Sequence, residues 1–336
     1  MKCRFVRSLK AIDADMPADV GSFEADPPMR NRRLRTEWNP RSSFNTIEYR
    51  GLMPFTTLIT PSELSRHLDD ADWAVLDCRF SLDDTERGRR DYLASHIRGA
   101  VYAHLDHDLS GKKVPGKTGR HPLPDPQSFA QTLSAWGIDA GTQVVVYDDS
   151  TGTMAARLWW MLYWLGHHHA ALLNGGWRLW RQLELPSSSG PECRPYRRFE
   201  PHETRGACVG AEQVLEYSKD PGYVVLDARS APRFRGEVEL IDPVAGHIPG
   251  AVSAPCEENV SPDGTFLEPE VLRRRFERFL KSIPTENAIC YCGSGVTAAH
   301  NLIAMAYAGL GMGRLYAGSW SEWITDPRRP IATGPD

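Results

Sequence analysis

The chain has 336 residues, of which 41% are hydrophobic and 24% charged, and its formal net charge is −4. That balance describes a soluble globular protein with room for two domains, and it excludes a strong pull toward nucleic acid or a membrane surface. Seven cysteines, an odd number at irregular spacing with no charged-then-apolar leader ahead of them, argue for reduced thiols in the cytoplasm rather than a disulfide framework.

Residues 1–53 mix prolines and charges with few periodic apolar positions, as in "DADMPADVGSFEADPP", and read as a disordered extension. Asp13, Asp15, Asp19, Glu24 and Asp26 argue against a transit peptide, which avoids acids. Residues 54–184 then offer short strand-like runs, "WAVLDCR" (73–79) and "QVVVYDD" (143–149), and a very apolar stretch, "LWWMLYWLG" (158–166). That stretch is far short of the roughly 20 residues that span a bilayer, so it reads as a buried helix. Residues 185–205, "LPSSSGPECRPYRRFEPHETR", are rich in proline, serine and arginine and read as a linker.

Residues 206–334 repeat the earlier pattern. "VLDCRF…HIRGAVYA" (75–103) returns as "VLDARS…HIPGAVSA" (225–254), and "VVVYDDSTGTMAARLWWMLYWLG…LLNGGWRLW" (144–180) returns as "AICYCGSGVTAAHNLIAMAYAGLG…LYAGSWSEW" (288–323). The second copy again sets runs such as "YVVLDAR" and "NAICYC" between segments of helical spacing, including Leu272, Phe276, Phe279 and Leu280. The alternation predicts an α/β fold of two tandem domains, each a mostly parallel sheet flanked by helices on both faces.

Cys292 sits at the carboxyl end of the strand that begins "NAIC", and the loop "GSGVT" (293–297) follows it before a helix. Strand carboxyl ends are where open α/β sheets bind ligands. A loop with Gly293 and Gly295 can turn its N–H groups toward one point, and the helix start adds its positive end, so the loop suits an anion. The anion would be the sulfur of Cys292, a nucleophile candidate. The first copy has Asp148 in that place, and Cys290 lies inside the strand as a core residue.

Together, "CGSGVTA", "LDARSAPRF", "GHIPGA" and "GSWSEW", with "GRHPLPD" and "LNGGW" in the first copy, resemble the two-domain sulfurtransferases of the rhodanese superfamily, the 3-mercaptopyruvate type most of all. The resemblance covers residues 55–330 and implies that Cys292 carries sulfur as a persulfide held by the amides of Gly293, Ser294, Gly295, Val296 and Thr297. It implies Arg233 as the substrate-binding arginine, and a proton relay of Ser294, His121 and Asp106 lying between the domains. Asp227 and Arg229 look structural. A second arginine of the mercaptopyruvate enzymes has no counterpart in "GEVELIDPVAG", with Arg235 as a stand-in off the family's position.

The resemblance implies a small anionic sulfur donor, 3-mercaptopyruvate or thiosulfate, and a thiol or cyanide acceptor, thioredoxin among them. It implies no cofactor, no metal, and a monomer. A thiosulfate-preferring rhodanese and a non-catalytic binding module of the same fold are the alternatives. A related phosphatase would need Arg six positions after Cys292, where Ala298 stands, and a zinc or redox site would need Cys-x-x-Cys pairs that are absent.

Overall fold

The eleven strands form two parallel sheets and one short antiparallel pair in a computed structural model that describes residues 54–335. The reading of residues 1–53 as an extension lies outside the described residues. In chain order the strands are β1 (Leu58–Ile59), β2 (Trp73–Asp77), β3 (His96–Ile97), β4 (Val101–Tyr102), β5 (Gln143–Tyr147), β6 (Ala170–Leu173), β7 (Ser187–Ser188), β8 (Val224–Asp227), β9 (Ala251–Ser253), β10 (Ala288–Tyr291) and β11 (Arg314–Leu315). The first sheet runs β1-β6-β5-β2-β4 and the second β11-β10-β8-β9, all neighbours parallel. A parallel bridge from Cys208 to Leu315 stands where β1 stands beside β6.

Every residue of β5 and β10 is buried, because helices cover both faces of each sheet and leave no solvated side. Val144 and Val146 face the helices Pro126–Ala135 and Ala155–Trp164, while Val145 and Tyr147 pack with Trp177 and Trp180 of the helix Gly176–Gln182. Thr60 and Asp125 cap their helices by accepting the N–H of Glu63 and Ser128, each with proline at the first helical position. Among the described residues no helix is long and apolar enough to cross a membrane. The apolar run at 158–166 is helical to Trp164 and stops at Gly166, whose φ is +81°.

Apart from Arg157 that helix is apolar, because it is covered on both sides: the sheet lies under it, and the helix Ala298–Tyr307 of the second repeat lies over it. One hydrophobic cluster therefore passes through both repeats. Segment 185–205 is pinned along the first repeat by β7 on β3 and by Arg197 on Asp72. The two repeats also share a buried floor. Asp77 binds Arg79, which reaches the Ser95 carbonyl and lies over Trp177; Asp227 binds Arg229, which reaches the Gly246 carbonyl and lies over Trp320.

His300 belongs to the seam. Its Nε2 lies 3.0 Å from the Thr151 carbonyl of the first repeat, its Nδ1 lies 3.1 Å from Asn259 Nδ2, and its ring stacks on Phe266. Burial pushes it down to about 4, and burial does the same to His121 and His167. An unfolded histidine takes up its proton near 6.5. Between about 6.5 and 4 the unfolded chain thus binds protons that the native chain refuses. The stability these groups confer is complete above 6.5 and is lost as pH falls through that window. Denaturant unfolding at pH 7 and pH 5 should show lower stability at pH 5, and His300→Gln should flatten the slope by about 1.4 kcal/mol per pH unit. A slope unchanged by that substitution would contradict the burial argument.

Candidate active site

Cys292 follows β10 directly and is buried. Two hydrogen bonds anchor it from the turn after β11: its N–H donates to Ser319 Oγ (3.0 Å), and its carbonyl accepts from the Trp320 N–H (2.9 Å). The Gly293 carbonyl likewise accepts from the Ser321 N–H (2.9 Å). Gly295 turns the loop back at φ +74°, where an added Cβ would run into the Ala317 carbonyl. Only glycine satisfies both conditions. The reversal brings the Gly295 N–H to 3.2 Å from Cys292 Sγ. Among the described residues, the N–H groups of Gly293, Ser294, Val296 and Thr297 bond no protein acceptor. Val296 is buried, and Thr297 sits at the N-cap of the helix Ala298–Tyr307.

The first repeat shows what such a loop holds. Its version is one residue longer, and Asp148 takes the place of Cys292. Asp148 Oδ1 accepts from the Ser150 N–H and hydroxyl (2.9 Å each) and the Gly152 N–H (3.0 Å); Oδ2 accepts from the N–H groups of Met154 (2.8 Å) and Ala155 (2.9 Å). A negative group fills the cradle there and is fully bonded.

The first repeat also completes the site from above. His121 is buried, with Nδ1 2.8 Å from Ser294 Oγ and Nε2 3.4 Å from Asp106 Oδ1. The tautomer protonated at Nε2 suits both neighbours: the Ser294 hydroxyl donates to Nδ1, and the Nε2–H faces the carboxylate. Burial, and then the charge of Arg157, push His121 down to about 4 against the opposing pull of Asp106, so the ring is neutral at pH 7. Arg157 itself is fully buried in the first repeat's apolar helix. It donates to the carbonyls of Gly295 (2.9 Å), His121 (3.1 Å) and Leu109 (3.4 Å), and burial pulls it down to about 10, leaving it charged.

Arg233 lies beside the loop, held by Glu239 (2.9 Å) and Asp242 (3.0 Å). Arg235 does not stand in for a second arginine. It is two residues further along a short helix, which turns its side chain to the other side, and it closes a pair with Glu237 at the surface. The second guanidinium near the loop is Arg120, from the residue before His121. An added Cβ at Gly293 would stand 2.8 Å from Arg120 Nη2 and 3.6 and 3.7 Å from Arg233 Nη2 and Nη1. Arg120 also pairs with Asp242.

Residues named from sequence as Cys292, Gly293, Ser294, Gly295, Val296, Thr297, His121, Asp106 and Arg233 thus all meet at one loop. Arg120, Arg157, Ser319, Asp242 and Glu239 complete it and were not anticipated. Arg157 alone left a signal, a lone charge inside "MAARLWWMLYW". Cys290 is buried in β10, where burial pushes its thiol well up. Glu86, His104 and His107 bring one ligand atom each within 4.8 Å of one another. The Asp106 N–H donates to His104 Nδ1 (3.1 Å), which leaves the proton on Nε2, 3.5 Å from Glu86 Oε1 and without a hydrogen-bond partner.

Comparison with known proteins agrees in extent with this architecture. The rhodanese-like domain family matches residues 60–183 and again 210–326. A protein of Pseudomonas aeruginosa named "Probable 3-mercaptopyruvate sulfurtransferase" is 49% identical over 283 residues, 84% of this chain and 100% of its own. A Mycobacterium tuberculosis protein named for thiosulfate sulfurtransferase activity is 36% identical over 288 residues, 82% of this chain and 97% of its own. The solved 3-mercaptopyruvate sulfurtransferase of Leishmania major superposes with a TM-score of 0.73 at 33% identity, covering 82% of this chain and 76% of that one. With two matched repeats and relatives of this identity over nearly their full length, the chain belongs to the rhodanese family.

Proposed function

We propose that this sulfurtransferase takes a sulfur atom from 3-mercaptopyruvate onto Cys292 as a persulfide and passes it to a thiol or cyanide. The observation that carries the reading is Asp148. A carboxylate oxygen stands two bonds beyond Cβ, as the outer sulfur of a cysteine persulfide does. The first repeat's cradle gives the two oxygens of that carboxylate five hydrogen bonds, three to Oδ1 and two to Oδ2. The second repeat keeps a similar cradle with its amides open and puts cysteine at the root.

The chemistry follows from the groups around it. The Cys292 thiolate attacks the donor's sulfur, the S–S bond forms, and the C–S bond breaks with its electron pair leaving as the pyruvate enolate. The donor's thiol proton passes through Ser294 to the neutral Nδ1 of His121 and returns to the enolate carbon, while Asp106 steadies the transient imidazolium. Arg233 grips the carboxylate. Gly293 and Ser294 add no charge for dianionic thiosulfate, which tilts the preference toward mercaptopyruvate. Thiosulfate, the donor in the name of the mycobacterial relative, serves as a slower one. The acceptor thiol is small or sits on a protein such as thioredoxin, the active unit is a monomer, and residues 54–184 and 206–334 are the cooperating domains.

Cys292→Ser should abolish turnover with the fold intact, and Cys290→Ser should keep it. Intact mass after donor treatment should show one added sulfur, removed by cyanide, in the second variant alone. The reverse pattern would move the sulfur to Cys290.

His121→Asn separates the relay from binding. With mercaptopyruvate, whose departing enolate needs a proton, kcat should drop about a hundredfold. Thiosulfate releases sulfite, which needs none, so its kcat should change by less than about threefold. Because His121 stays neutral down to about pH 4, wild-type kcat should show no fall between pH 8 and pH 5 from its protonation. Equal losses with both donors would refute the relay.

A further inference from the structure

Gly293 has no left-handed backbone to explain it; its φ is not among the positive ones. An added side chain there would enter the room between two guanidiniums, one from each repeat, and would have to push the end of Arg120 aside. Arg120 does not reach this place by chance of rotamer. Its own N–H donates to Ser321 Oγ (3.0 Å), and Ser321 in turn donates its N–H to the Gly293 carbonyl, so the arginine's backbone and the loop hang on one residue. The next residue, His121, touches Ser294.

Arg120 is also underused. Nη1 pairs with Asp242, Nη2 faces Gly293, and Nε is buried with no hydrogen-bond partner. A buried donor left without an acceptor is costly and suits a ligand oxygen. Asp242 bridges the two arginines, bonding Arg233 through its other oxygen. A carboxylate of the chain itself thus sits between the cations that a carboxylate substrate would want. Glu239 holds Arg233 through both oxygens and would keep it in place if Asp242 let go.

We infer that Arg120 is the second donor-binding arginine, supplied to the catalytic loop by the other repeat, and that the donor's carboxylate takes the place of Asp242 on it. The inference rests on Cys292 as the sulfur carrier. It gives the missing cation of the segment 236–246 a source far away in sequence. It also makes donor binding depend on both repeats, since each contributes one guanidinium.

Steady-state kinetics with cyanide as acceptor test it, using mercaptopyruvate and thiosulfate as donors. Arg120→Gln should raise KM for both donors by about tenfold or more, the loss of a charge-assisted hydrogen bond, with kcat held within about threefold. Asp242→Asn should do the opposite and lower KM for mercaptopyruvate, because the competing carboxylate charge is gone while Glu239 still holds Arg233. A clasp that merely joined the repeats would behave otherwise: both variants would lose thermal stability and kcat together. That result, or an unchanged KM in Arg120→Gln, overturns the inference. Wild-type protein that gains no sulfur on Cys292 from either donor would instead overturn the sulfur-carrier reading beneath it.

Discussion

The site depends on one buried cation. Arg157 rises from an apolar helix of the first repeat; among the described residues no carboxylate pairs with it, three carbonyls accept from Nη1 and Nη2, and Nε stays without a partner. Those carbonyls belong to Gly295 in the cysteine loop, His121 in the relay loop and Leu109 near Asp106. Burying a guanidinium is costly and each acceptor offsets part of that cost, so the three bonds tie the three segments to one side chain. Substitutions at Arg157 should therefore disturb the Cys292 loop, the His121 loop and the seam together.

Duplication explains the rest of the architecture. Both repeats keep the floor in which an aspartate clamps an arginine over a tryptophan, with a tyrosine hydroxyl, Tyr147 or Tyr291, reaching the N–H of Ile97 or Ile248. At the strand end they part. The first repeat fills its cradle with the Asp148 carboxylate. The second leaves the N–H groups of Gly293, Ser294, Val296 and Thr297 without a protein acceptor among the described residues. The first repeat turns its freed surface to another use, presenting Asp106, Arg120, His121 and Arg157 to its neighbour.

Much of this was legible in the sequence because it is local or repeated. The parallel sheets follow from buried runs such as "QVVVY", and the cysteine loop from a strand, two glycines and a helix start in succession. The relay trio was reached only through family resemblance, since nothing in the spacing of Asp106, His121 and Ser294 brings them together. Arg120 stood in the quoted "GRHPLPD" and was passed over. Its reach to Gly293 depends on Ser321, 201 positions further along the chain, whereas the family pattern places a second arginine close to Arg233, where the chain offers only Arg235, turned away to Glu237. Ser319 and Asp242 were hidden for the same reason: each acts through a tertiary contact that leaves no periodic or compositional mark.

The central claim is that the loop of Cys292 is built to hold an outer sulfur as Asp148 holds its carboxylate. A crystal structure of the protein treated with mercaptopyruvate tests it most directly. The account predicts density for a second sulfur on Cys292, turned into the loop and hydrogen-bonded by the backbone N–H groups between Gly293 and Thr297. An unmodified Cys292 with the added sulfur on Cys290 or Cys256, or an outer sulfur pointing away from the loop amides, would contradict it.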